Sequence, residues 1–131
     1  HMLPEAELVI VGVSRTCKTP LSMYLAHKGI MTANIPLVPN LEPPEELFVL
    51  EPQKVVGLTI KASKLQQVRK ERLQMMGLDP ETSAYAKIDK VEEEIGYART
   101  IMKQVGCKVF DVTDKAIEET AQEVITYLHL E

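Results

Sequence analysis

The chain has 131 residues, 45% of them hydrophobic and 26% charged, enough for one globular domain with a modest core. Its net charge of −4 and calculated pI near 5.4 exclude a global basic field of the kind that gathers nucleic acid, so any anion site must be a local cluster. Two cysteines are too few for a disulfide framework and suit a reducing cytoplasm; no apolar run reaches about 18 residues and no signal-peptide pattern opens the chain, so neither membrane span nor export is expected.

His1-Met2 reads as a cloning remnant outside the fold, leaving 3–131 as the domain. Leu3 to Glu7 run straight into Leu8-Val9-Ile10-Val11, an apolar run suited to a strand buried on both faces, as an excised domain would begin. Then comes Gly12-Val13-Ser14-Arg15-Thr16-Cys17-Lys18-Thr19, with the spacing of a phosphate-binding loop, GxxxxGK[ST], except that Cys17 stands in place of the second glycine. A strand, a tight loop and a helix in that order aim several backbone N–H groups and a positive helix end at one point, where anionic phosphate is the natural guest. Lys18 would reach the terminal phosphate as a point charge, and the Thr19 hydroxyl would face a magnesium ion.

A helix over about 20–28 opens at Pro20 and closes at Gly29. Residues 31–38 read as a second strand that Pro36 shortens, and 39–48 as a proline-rich connector with one helical turn near Pro44. Val55 to Ile60 form a third strand. In the helix after it, Leu65, Val68, Met75 and Met76 are expected on one buried face, with Lys64, Arg69, Lys70 and Arg72 elsewhere. Gly77 closes that helix and a loop follows. Another helix spans about 84–105, with Ile88, Val91, Ile95, Ala98, Met102 and Val105 as its core stripe. Lys108 to Val112 make the fourth strand. Asp114 is the expected N-cap of a last helix that buries Ile117, Ala121, Val124, Ile125 and Leu128. Strands alternating with helices predict an α/β three-layer domain: a mostly parallel sheet of about four strands, covered on both faces, with ligands beyond the strands' carboxyl ends.

The run Val11 to Ala26 resembles the bacterial pyruvate, phosphate dikinase regulatory proteins and their phosphoenolpyruvate synthetase counterparts. So do Ala33 to Pro39, Gly57 to Ile60, Leu65 with Val68 to Leu73, Tyr85-Ala86, Asp111-Val112-Thr113 and Ile117 to Ala121; Ser14-Arg15-Thr16 before Lys18-Thr19-Pro20 is the most specific part. The resemblance implies a bifunctional serine/threonine kinase and phosphorylase. Such a protein phosphorylates a threonine of the dikinase or synthetase with ADP as donor, and removes that phosphate with inorganic phosphate to give pyrophosphate. Family chains are roughly twice this length, so the resemblance implies the C-terminal, nucleotide-binding half, and a homodimer.

On that resemblance, Lys18 and the amides of 13–19 would hold the β-phosphate of ADP, and Arg15 would clamp it with its guanidinium fork. Ser14 either orients the loop or contacts the attacking group, or else makes a local turn bond. Arg69 and Arg72, three apart on a helix, are candidates for a second phosphate or for a solvated basic face. Tyr85 either covers the nucleotide or packs in the core. Asp111 ends its strand where a magnesium-orienting carboxylate would stand, or else caps a helix or forms a surface turn. Cys107 reads as a small core residue, and His1, His27 and His129 lack metal-ligand spacing. No His or Asp is placed to deprotonate a threonine, a task that falls to the absent half. Two rivals stay open: a small-molecule P-loop kinase, and a non-catalytic module that senses ADP or phosphate.

Overall fold

The computed structural model describes residues 8–13, 16, 18–39 and 41–130, the side chains of the last two excepted. Four parallel strands form one sheet in the order β2-β1-β3-β4: β1 Leu8–Gly12, β2 Thr32–Pro36, β3 Val55–Thr59 and β4 Lys108–Asp111. The helices are α1 Lys18–His27, α2 Glu46–Val49, α3 Ala62–Met75, α4 Ile88–Val105 and α5 Ile117–Leu130. This is the three-layer α/β arrangement that the alternating pattern predicts. α1 packs with α5, while α3 and α2 pack with α4, the division that right-handed crossovers impose on a sheet growing both ways from β1.

The core follows from the uninterrupted apolar strands. Leu8, Val9, Ile10 and Val11 are all inaccessible to solvent, as β1 has a neighbouring strand on each side and a helical layer on each face. Gly57 on β3 admits the Met102 side chain of α4, whose Sδ would lie 2.6 Å from a Cβ built there. Gly29, with φ of +87°, lets α1 stop and the chain turn into β2, because a left-handed residue with a Cβ is strained.

Boundaries shift where local chemistry outweighs periodicity. α1 begins at Lys18, two residues before the expected start at Pro20, and β2 stops at Pro36. Residues 84–87 are not the first turn of α4. Pro80–Thr82 and Ala84–Ala86 are short 3-10 turns, each opened by a side chain, Asp79 and Ser83, that accepts the N–H two residues on.

The buried face of α3 differs from the expected one. Leu65, Arg69 and Leu73, each four apart, point inward, Val68 is half-buried, and Met75 and Met76 are exposed near the helix end. Asp114 is not the cap of α5; it sits at φ +57° and pairs with Lys64 at 3.4 Å. The Glu119 carboxylate instead reaches back to accept the Ala116 N–H at 3.0 Å, the reciprocal half of a capping box.

Candidate functional site

The site begins where β1 ends. Gly12 passes so close to β3 that a Cβ there would meet the Leu58 carbonyl oxygen at 3.0 Å and Thr16 Oγ1 at 3.1 Å. A side chain here would crowd the backbone of β3 and the Thr16 hydroxyl, which would have to give by a few tenths of an ångström. Its own carbonyl accepts the Leu37 N–H at 2.9 Å, which ties the start of the loop to the end of β2.

The loop then curls back on itself. Thr16, fully buried, donates its hydroxyl to the Val13 carbonyl at 2.7 Å, and a buried hydroxyl needs such a partner. Lys18, the first residue of α1, turns its ammonium back over the same loop and donates to the Val13 carbonyl and, at 3.4 Å, to Thr16 Oγ1. The ammonium is thereby held against Val13 and Thr16. Thr19 is exposed beside it, and the first turn of α1 carries no acidic residue. Nothing in that turn competes with an incoming anion for the positive helix end. Ser14, Arg15 and Cys17, the remaining expected members of the loop, lie outside the described residues.

Glycine in the narrow turn, a lysine ammonium over the loop and a solvent-facing threonine on the helix are what a bound phosphate and its magnesium ion require. The described part of the loop fits such a guest.

Asp111 belongs to a different junction. It ends β4, two strands from β1 and so roughly 10 Å across the sheet. Its carboxylate accepts both the Thr113 hydroxyl and the Thr113 N–H, the latter at 2.8 Å. Those bonds, the hydroxyl's first, with smaller contributions from Lys115 and Lys61, hold its pKa below the usual carboxylate range. The Thr113 hydroxyl oxygen also accepts the Lys61 N–H at 2.9 Å, joining the β3–α3 and β4–α5 turns. These contacts are those of a surface turn.

Arg69 and Arg72 do not share a surface. Arg72 is exposed, whereas Arg69 is fully buried and grips both oxygens of Glu94 at 2.8 Å. It also donates to the Tyr85 carbonyl at 3.0 Å and stacks 4.5 Å from the centre of the half-buried Tyr85 ring. Together with Gln66, which donates to the Ala86 carbonyl at 3.0 Å, Arg69 fastens the segment between α3 and α4 to the body of the domain. The expectation of a paired phosphate site fails here because burial demands a carboxylate partner for the guanidinium, and Glu94 supplies it. Glu94 went unnoticed in the sequence. The spacing of Leu65, Arg69 and Leu73 carried the signal, and weighting residues by hydrophobicity hides a buried arginine.

Cys107 is half-buried against the core, and burial pushes its thiol pKa up. No group of three or more His, Cys, Asp or Glu side chains gathers as a metal centre among the described residues. Nor is any described helix long and apolar enough to cross a membrane.

Fold and site together define an α/β domain with a parallel, doubly covered sheet, whose first strand-to-helix junction presents lysine and threonine at the helix start. The model of the kinase/pyrophosphorylase family matches residues 1–125, and the chain belongs to that family. It is 58% identical over 123 residues to a protein of Carboxydothermus hydrogenoformans, covering 94% of this chain and 44% of that protein. It is 56% identical over 124 residues to one of Desulfitobacterium hafniense, covering 95% and 45%, and 58% identical over 116 residues to one of Halalkalibacterium halodurans, covering 88% and 43%. All three carry the provisional name pyruvate, phosphate dikinase regulatory protein. The chain thus spans less than half the length of these relatives.

Proposed function

We propose that this chain is the ADP-binding part of a bifunctional serine/threonine kinase and phosphorylase. Its target is a threonine of pyruvate, phosphate dikinase or of phosphoenolpyruvate synthetase. Family membership and the relatives' names support the regulatory class. The observation that carries the nucleotide reading is Lys18, whose ammonium lies over the β1–α1 loop at a helix start without acidic residues.

In this reading the loop amides and Lys18 bind the β-phosphate of ADP and neutralise charge as it passes to the threonine hydroxyl, leaving AMP. Arg15 clamps the same phosphate, and Thr19 seats magnesium, which when bound would spread the developing charge over the phosphate oxygens. Gly12, with no side chain to press on Leu58 or Thr16, lets β1 pass close to β3 at the start of the loop. In the separate dephosphorylation reaction the same cradle holds the inorganic phosphate that attacks the phosphothreonine phosphorus, freeing the threonine hydroxyl and leaving as pyrophosphate.

The test uses a chain of the relatives' full length with dikinase or synthetase as acceptor. ADP labelled at the β-phosphorus should transfer label to a threonine, and inorganic phosphate should release it as pyrophosphate. Label transferred only from ATP, or to a free metabolite, would mean a different kinase; nucleotide binding with no transfer to either protein would mean a sensor.

A further inference from the structure

The ammonium of Lys18 and the hydroxyl of Thr16 converge on one acceptor, the Val13 carbonyl oxygen. Thr16 donates to it at 2.7 Å from a fully buried position, and its own oxygen stands 3.4 Å from Lys18 Nζ as a second, longer acceptor. The three groups close a triangle inside the β1–α1 loop. Gly12 bounds it on a further side: a Cβ there would come within 3.1 Å of Thr16 Oγ1, so the hydroxyl sits in the space that glycine leaves.

The members of the triangle differ in freedom. A hydroxyl has one proton, and here it goes to Val13, which leaves the oxygen's lone pairs to accept from Lys18. Threonine, branched at Cβ, is stiff at χ1, and this one is buried. Lysine carries a point charge on a flexible four-carbon stem, and Lys18 is only half-buried, so its direction comes from what it is bonded to. The ordered hydroxyl therefore steers the ammonium twice, as an acceptor and by holding the carbonyl that both share.

We propose that Thr16 is the positioning residue of this loop: its hydroxyl holds the Lys18 ammonium at the start of α1, ready for an incoming phosphate. Preorganising the lysine spares the ligand the cost of ordering it. What the ammonium meets rests on the nucleotide reading above; that Thr16 holds it does not. Valine has nearly the shape of threonine but removes both the proton given to Val13 and the acceptor offered to Lys18. It leaves the Val13 carbonyl bonded to Lys18, so no buried oxygen is orphaned and the fold should tolerate the change.

The test compares the unaltered chain with Thr16→Val, Thr16→Ser and Lys18→Ala. The Lys18 ammonium resonance in a proton–nitrogen NMR spectrum, identified by its absence from Lys18→Ala, reads the position of the lysine without nucleotide. Titration with ADP in magnesium reads its use, and thermal melting reads the fold. The unaltered chain and Thr16→Ser should both show a slowly exchanging ammonium and bind ADP within about threefold of each other. Thr16→Val should lose the resonance and bind ADP about tenfold or more weakly, melting within a few degrees of the unaltered chain. The proposal is overturned if the unaltered chain shows no such resonance, or if Thr16→Val keeps it or binds ADP undiminished. It is equally overturned if Thr16→Ser falls as far as Thr16→Val, or if Thr16→Val unfolds, since the side chain would then hold up the domain and not the lysine. A resonance lost only in Thr16→Val, in a chain that binds no ADP, would remove the nucleotide reading and still support Thr16 as the holder of Lys18.

Discussion

β1 and β4 each hand the chain to a helix at the carboxyl edge of the sheet, and they finish the helix start in opposite ways. At α5 the first turn carries Glu118 and Glu119, Glu119 accepts the Ala116 N–H, and Asp111 closes the preceding turn on Thr113. The positive helix end is satisfied by the chain's own carboxylates. At α1 the first turn is Lys18, Thr19 and Pro20, without acid, and the lysine bends back over a loop narrowed at Gly12. One junction is closed by its own carboxylates, whereas the other has a lysine and no acidic residue in its first turn, the combination on which the proposed ADP site rests.

The contrast needs an intact frame, and the largest effect is expected there. Glu94→Ala would leave the fully buried Arg69 without its carboxylate. Because Glu94 is itself 24% exposed, the loss belongs at the lower end for a buried pair, about 3 kcal/mol in chemical denaturation. A loss below the noise of the measurement would show that Arg69 is not the anchor described. Next is Gly12→Val, whose Cβ would press on backbone and on Thr16; about 2 kcal/mol of stability should be lost. Val109→Ala on exposed β4 should cost far less by the same denaturation curve.

Thr19→Glu gives α1 the acidic first turn of α5. Affinity for ADP should fall by about tenfold or more in a binding titration while the melting temperature holds or rises slightly. Undiminished affinity would erase the distinction between the junctions. The mirror experiment, Glu119→Ala, should cost about 1 kcal/mol of stability through the lost cap and leave ADP binding unchanged.

The smallest effect concerns pH. The folded pKa of Asp111 is depressed, so its contribution is present above the unfolded value and is lost as pH falls through the folded one. Thr113→Val removes the hydroxyl that is the main cause, and the carboxyl carbon of Asp111 should then titrate closer to the ordinary aspartate range by NMR. An unmoved titration would shift the cause to the Thr113 N–H and nearby lysines.

Much of the fold was legible because Leu8–Val11 and Val55–Leu58 are unbroken apolar runs and Gly29, Gly77 and Gly106 punctuate the helices with positive φ. The departures share one physical origin, side-chain polarity that burial or a local cap redirects. Arg69 took a core position on α3 because Glu94, 25 residues on, could neutralise it, a partnership that no local period reveals. Asp79 and Ser83 turned residues 80–86 into capped 3-10 turns where periodicity suggested helix. At the candidate site the spacing from Gly12 to Thr19 marked the strand-to-helix junction, but the buried Thr16 hydroxyl bonded to the Val13 carbonyl was visible only in three dimensions.

The most direct measurement is calorimetric titration of this chain with ADP, ATP and AMP in magnesium, beside Lys18→Ala. ADP bound in preference to ATP and AMP, with the heat lost in the variant, is the predicted result. Absent binding, preference for ATP, or equal affinity in Lys18→Ala would contradict the assignment of the β1–α1 loop as an ADP cradle.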